Sequence, residues 1–267
     1  MGKIIAVANQ KGGVGKTTTC VNTVCALTDL KKRVLLCDFD PQGNATSGMG
    51  VSKKVSPSVY DVVIGNASAD KAIYKTRFGD VMPASRSLSG AEAELMSLDA
   101  WEYRLKNALE GIRDSYDYIF IDCPPSLGLL TVNALCAADS VLVPVQCEYL
   151  ALEGLSDLVN SVRIMRGGKN SKLELEGVLL TMYNSRGNLS LQVADEVKRF
   201  FPDKLYSVVV PRNVRLAEAP SHGMPVQYYD PSSKGADCYR ELGREMLKRN
   251  NVPRETIYSS KKGGDIL

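Results

Sequence analysis

Ile4-Ile5-Ala6-Val7-Ala8-Asn9-Gln10-Lys11-Gly12-Gly13-Val14-Gly15-Lys16-Thr17-Thr18 joins an apolar run to a glycine-rich turn and then to a helical pattern. The run 4–8 has no polar alternation, as expected of a strand buried on both faces. The glycines let the backbone fold tightly and turn successive N–H groups inward. The helix predicted over 16–30 adds its own unpaired N–H groups and the positive end of its dipole. Together these make an anion cradle. Lys16 is placed to reach β- and γ-phosphates, and the Thr17 hydroxyl to ligate Mg²⁺. Six fixed positions of this kind recur by chance in such a length about once in 10⁵. The strict Walker A spacing wants glycine at position 10; Gln10 stands there, and a second lysine, Lys11, opens the loop.

The rest of the chain repeats the same grammar. Further apolar runs lie at 34–37, 118–121, 141–145, 177–181 and 208–210. Helical patterns lie between them at 91–112, 127–137, 152–166, 189–201 and 236–248. Strand–helix alternation predicts an α/β fold: a single three-layer domain, with a mostly parallel β-sheet flanked by helices on both faces. The domain is expected over 1–250, with a flexible tail over 251–267. Ligands of such sheets bind outside the carboxyl ends of the strands, so chemistry should follow each run.

Composition sets the outer limits. Apolar residues are 44% of the 267 and charged residues 24%, average globular usage that can build a sizeable core. A net charge of +3 excludes a histone-like polycation but not a local basic patch. Seven cysteines without C-x-x-C spacing are expected as free thiols, most of them buried, in a reducing compartment. No stretch approaches the ~20 apolar residues of a membrane span. The first residues lack a signal-peptide h-region, so a cytoplasmic protein is expected.

Carboxylates close two of the runs. Asp38 and Asp40 follow 34–37, where the alternative is a solvated turn around Pro41-Gln42-Gly43-Asn44. Asp122 follows 118–121 in the form of a Walker B segment, whose carboxylate holds Mg²⁺ through water.

These motifs carry a resemblance. Lys-Gly-Gly-x-Gly-Lys-Thr-Thr is similar to the deviant Walker A of ParA/MinD P-loop ATPases. With Cys37-Asp38-Phe39-Asp40-Pro41-Gln42-Gly43-Asn44 and Pro211-Arg212-Asn213-Val214-Arg215-Leu216-Ala217-Glu218-Ala219-Pro220-Ser221-His222-Gly223, residues 1–248 resemble the ParA/Soj partitioning branch. The resemblance implies an ATPase using ATP and Mg²⁺, with the loop residues Lys11, Gly12, Gly13, Val14, Gly15, Lys16, Thr17 and Thr18 on the phosphates. It implies that Asp40 positions or activates the attacking water, with Thr17, Asp38, Asp40 and Asp122 serving the metal. Lys11 and Glu148 would reach the partner's nucleotide in an ATP-sandwiched homodimer. Met182, Pro211, Arg212 and Asn213 would surround the adenine. Arg186 and Arg215, extended by Lys234 and Arg240, would bind double-stranded DNA without sequence preference, on the nucleoid. A ParB/Spo0J-like partner would stimulate hydrolysis.

Local charge is compatible with the DNA reading. Between Arg186 and Arg215 lie six basic residues against three acidic ones. The first run begins near Lys3, so no N-terminal helix-turn-helix domain, and no operon repression, is expected. A MinD-like division ATPase would need a C-terminal amphipathic membrane helix. Residues 250–267 contain two glycines, a proline and few apolar groups, a poor candidate. An iron-protein-like cluster carrier would use Cys123 and Cys136, but Cys123 reads as a small apolar filler. Small-molecule ligases of the same fold are a further alternative. His222 is expected in a structural or hydrogen-bonded role, and Trp101 in the core or an interface.

Overall fold

The computed structural model describes residues 1–148 and 151–251. Among these residues six strands form one all-parallel sheet: β1 (Lys3–Val7), β2 (Val34–Asp38), β3 (Asp80–Met82), β4 (Tyr118–Asp122), β5 (Ser140–Gln146) and β6 (Glu174–Thr181), in the order β3-β2-β4-β1-β5-β6. The helices are α1 (Lys16–Asp29), α2 (Asn44–Gly48), α3 (Val59–Ile64), α4 (Ala91–Met96), α5 (Arg104–Glu110), α6 (Leu129–Ala137), α7 (Ala151–Gly168), α8 (Asn188–Phe200), α9 (Val214–Glu218), α10 (Val226–Tyr229) and α11 (Lys234–Asn251).

Side-chain alternation sorts the helices into two layers. Ile4, Ala6, Ile119, Ile121, Val141 and Val143 face a core with residues of α3 to α8. Ile5, Val7, Leu36, Phe120 and Leu142 face a second core with α1, α2 and α9 to α11. Each fully buried Leu, Ile or Phe contributes about 1.5–3 kcal/mol. Because every strand points the same way, all carboxyl ends open on one edge.

Two expectations need correction, and one strand was not expected. The helix predicted over 91–112 is broken into α4, a 3₁₀ turn at Trp101–Tyr103, and α5. Ala100 takes a left-handed φ of 50°, and Asn133 of α6 pins the break: its Oδ1 accepts from Leu105 N and its Nδ2 donates to Trp101 O. The run 208–210 is not a strand. Tyr206 N and Val210 N bond to β6 at Val178 O and Leu180 O, but Ser207 N and Val208 N turn to the Glu245 carboxylate of α11. That carboxylate takes the Val208 donor that a ladder with β6 needs. Lastly, β3 has only three residues and was not anticipated.

Six of the seven cysteines are buried and Cys238 is half-buried; all seven are free. His222 stacks on Tyr229 at 4.7 Å. Half-buried Trp101 packs against the first core. Among the described residues no helix is long and apolar enough to cross a membrane. The expected tail lies outside the described residues, except Asn251, which ends α11.

Candidate active site

The loop after β1 is shaped by two backbones that only glycine adopts freely: Gly13 at φ 74° and Gly15 at φ 92°. Gly15 is the N-cap of α1, and its carbonyl accepts from Thr19 N at 2.9 Å. Tertiary contacts fix the loop from outside. Asn9 donates to Pro144 O of β5 at 2.8 Å and accepts from Lys11 N at 3.0 Å. Thr181, the last residue of β6, donates its hydroxyl to Val14 O at 2.8 Å. Lys16 folds back over the loop and donates to Lys11 O at 3.1 Å. Burial lowers the Lys16 pKa, against the opposing charges of Asp122 and Asp40.

Opposite Lys16, β2 and β4 deliver Asp38 and Asp122 side by side in register. Both are fully buried. Burial pushes Asp38 up to about 6, opposed by the Thr46 hydrogen bonds. Burial and the Asp38 charge push Asp122 well above the carboxylate range, opposed by the Thr17 hydroxyl and Lys16. The two differ in how they are satisfied. Asp38 Oδ2 accepts from Thr46 N and Thr46 Oγ1, each at 2.6 Å, and its Oδ1 from Asp40 N at 3.3 Å. Asp122 Oδ1 takes a weak Cys20 thiol bond at 3.6 Å, the Thr17 hydroxyl stands close enough to lower its pKa, and among the described residues its buried Oδ2 meets no donor within hydrogen-bond distance. A buried carboxylate oxygen left so is costly unless a cation meets it. Asp122 beside Thr17 and Lys16 therefore fits a metal–phosphate group. The Asp38 oxygens thus tie β2 to the loop that carries Asp40. Asp40 is itself buried, with Oδ1 accepting from Gln42 N at 2.9 Å.

A cavity of about 510 Å³ adjoins the loop, lined by Gln146, Cys147, Glu148, Met182, Arg212 and residues of the 183–190 turn. Glu148 links it to the loop by an ion pair with Lys11 at 2.8 Å. Gln146 donates to the other Glu148 oxygen. Met182 sits at a left-handed φ of 49°, and Pro211 bridges Tyr183. Asn213 does something else: its side chain caps α9 by accepting from Arg215 N at 2.8 Å.

The four basic residues expected on DNA fall into two groups. Arg215 pairs with Glu218 at 2.8 Å and Asp230 at 3.1 Å. Arg240 pairs with Asp237 at 2.9 Å and donates to Pro231 O at 2.8 Å. The turn at 230–233 thus joins both to exposed Lys234 at the start of α11. Exposed Arg186 lies elsewhere, between Ser185 and Gly187 of the cavity wall. Sequence reasoning missed Asn9, Thr46, Gln146 and Thr181 as site-building residues. Each acts through a partner on another element, and only the local Asn9–Lys11 contact had a signal in the chain.

A parallel sheet with a glycine loop, an N-terminal lysine–threonine helix and strand-end carboxylates defines a P-loop nucleotide hydrolase. A family model described as AAA domain matches residues 2–175. The chain is 57% identical over 249 residues to the sporulation initiation inhibitor protein Soj of Bacillus subtilis (strain 168), covering 92% of this chain and 98% of that one. It is 49% identical over 253 residues to the chromosome partitioning protein ParA of Myxococcus xanthus (strain DK1622), covering 94% and 89%. A crystal structure named cobyrinic acid a,c-diamide synthase, from Mycobacterium smegmatis with bound ADP and magnesium, superposes with a TM-score of 0.83 at 38% identity, covering 95% and 97%. The chain belongs to the ParA/Soj family of partitioning ATPases.

Proposed function

We propose that this chain is a DNA-partitioning switch driven by ATP. The observation that supports the nucleotide-driven reading is fully buried Asp122, close to the Thr17 hydroxyl and the Lys16 charge of the glycine loop, with an Oδ2 that meets no donor among the described residues. Lys11, Gly12, Gly13, Val14, Gly15, Lys16, Thr17 and Thr18 hold the phosphates of ATP. Thr17 and Asp122 would hold Mg²⁺, which would supply positive charge to offset that of the phosphates. Buried Asp40 orients the attacking water, since phosphoryl transfer needs a positioned nucleophile more than a strong base. Met182, Pro211, Arg212 and the backbone at Asn213 border the base.

ATP binding pairs two subunits, with Lys11 and Glu148 turned to the partner's nucleotide. The pair then binds DNA without sequence preference through Arg186, Arg215, Lys234 and Arg240. A ParB-like partner stimulates hydrolysis and release. The protein then works on the nucleoid in the cytoplasm. The 57% identity to a Soj protein supports this reading over that of a ligase.

The test is sizing with ATP, ADP or no nucleotide, with and without DNA. The expected result is an ATP-dependent dimer retained on DNA, and loss of both in Lys16→Ala. Salt-sensitive DNA binding indifferent to nucleotide would sink the switch. The diamide synthase likeness supplies the rival: turnover that requires a carboxylate acceptor, and not DNA, would favour a ligase.

A further inference from the structure

We propose that Thr46 is a positioning residue for hydrolysis: its hydroxyl clamps the loop that carries Asp40. The proposal rests on the reading of Asp40 as the residue that orients water. Thr46 stands at the start of α2, eight residues after Asp38. Its N and Oγ1 both donate to Asp38 Oδ2 at 2.6 Å. The same Oγ1 accepts from Ala84 N at 2.9 Å, in the segment that leaves β3. Thr46 is fully buried, so no water competes for these bonds.

The other end of the carboxylate holds Asp40. Asp38 Oδ1 accepts from Asp40 N at 3.3 Å, and the turn closes through Gly43 N to Asp40 O at 2.9 Å. Asp40 is therefore hung between β2 and α2 on one carboxylate, and Thr46 orients that carboxylate against β3. The hydroxyl is spent on both sides, as donor to Asp38 and acceptor from Ala84. Among the described residues its side-chain bonds run to those two and none to the phosphate loop. Removing it should loosen Asp40 while leaving the nucleotide's own contacts in place.

The experiment compares Thr46→Val, Thr46→Ser, Thr46→Ala and Asp40→Asn, each read by kcat, KM and equilibrium affinity for a fluorescent ATP analogue. Thr46→Val keeps the branched shape and deletes the hydroxyl. We expect its kcat to fall on the order of 10–100-fold, as for a misplaced catalytic group. Its nucleotide affinity and KM should stay within about threefold, the split expected when an interaction matters only in the transition state. Thr46→Ser should keep kcat within about threefold of the parent. If Thr46→Val fails to fold, the Ser/Ala contrast isolates the hydroxyl in the same way.

Three results would overturn the proposal. One is an unchanged kcat in Thr46→Val with Asp40→Asn inactive, which leaves the Asp40 reading standing. Another is a parallel loss of affinity and kcat, which would make the role merely structural. The third is full turnover by Asp40→Asn, which would remove the reading itself and leave Thr46 nothing to position.

Discussion

Lys11 Nζ lies 2.8 Å from Glu148 Oε2, so the two residues assigned to the partner's nucleotide hold each other in the single subunit. Their side chains are 37% and 45% exposed, and such a pair is worth about 1 kcal/mol or less. It can be broken cheaply when a phosphate arrives. Glu148→Gln should leave thermal stability almost unchanged. Lys11→Ala should keep ATP binding but lose ATP-dependent dimerisation and about 10³-fold in turnover, the scale of a lost in-trans cation. Normal dimerisation of Lys11→Ala by light scattering would refute the in-trans role.

Asp122 and Asp38 meet in register at the ends of β4 and β2, and burial raises both, Asp38 to about 6. A metal-bound carboxylate must be ionised and burial raises Asp122, so binding of Mg-ATP should release a proton wherever Asp122 is still protonated in the free protein. Calorimetry in two buffers of different ionisation heat measures this. We expect up to about one proton released per subunit, declining as pH rises above the shifted range. Asp122→Asn should abolish the release. Equal heats in both buffers at pH 6 would contradict the assignment.

Arg215 is held by Glu218 and Asp230, so part of the charge proposed to meet DNA is neutralised within the subunit. Arg215→Ala should cut DNA retention and reduce the slope of log K against log salt by about one per subunit, leaving the ATP dimer intact. Glu218→Gln should do the opposite and raise affinity several-fold. Loss of the dimer in Arg215→Ala, or no gain in Glu218→Gln, would separate these residues from the DNA site.

What could be read in advance follows sequence distance. The loop from Lys11 to Thr18 is contiguous, and its glycines, lysines and threonines state their chemistry in order. The parallel sheet was legible because its central strands are buried on both faces and read as plain apolar runs. The break at Ala100 was not, because Asn133 makes it from another helix. Glu245 likewise dissolved the expected strand at 208–210 from 37 residues away. Thr46 shows the same limit within the site: it holds Asp38 from another element, and Ala84 N holds Thr46 in turn. Side-chain capture of backbone donors leaves no local periodicity to read.

Away from the site, Lys3 of β1 reaches Glu176 of β6 at 2.5 Å, and Ser140 and Asn250 complete the cage around that carboxylate. The Glu176 side chain is 5% exposed and that of Lys3 26%, so solvent screens only part of the pair. Burial alone would raise the Glu176 pKa, but the Lys3 charge and the three side-chain hydrogen bonds outweigh it and hold the group below its ordinary value. A lowered folded-state value means stability that is present above the unfolded pKa and lost as pH falls through the folded one. Lys3→Met removes the cation and leaves a buried, uncompensated carboxylate. It should cost about 3 kcal/mol, a fall in Tm of roughly 6–12 °C. The sign of the pH dependence should also reverse: without Lys3, burial raises Glu176, and the variant becomes more stable as pH falls from 7 towards 5. Adding Glu176→Gln should recover more than about 1 kcal/mol of the loss, because the double variant no longer buries a charge. Thermal melts of the parent, both single variants and the double variant across pH 5–8 measure every term. An unchanged Tm and an unreversed pH slope in Lys3→Met would show that the pair does not hold the β1–β6 base of the sheet to α11.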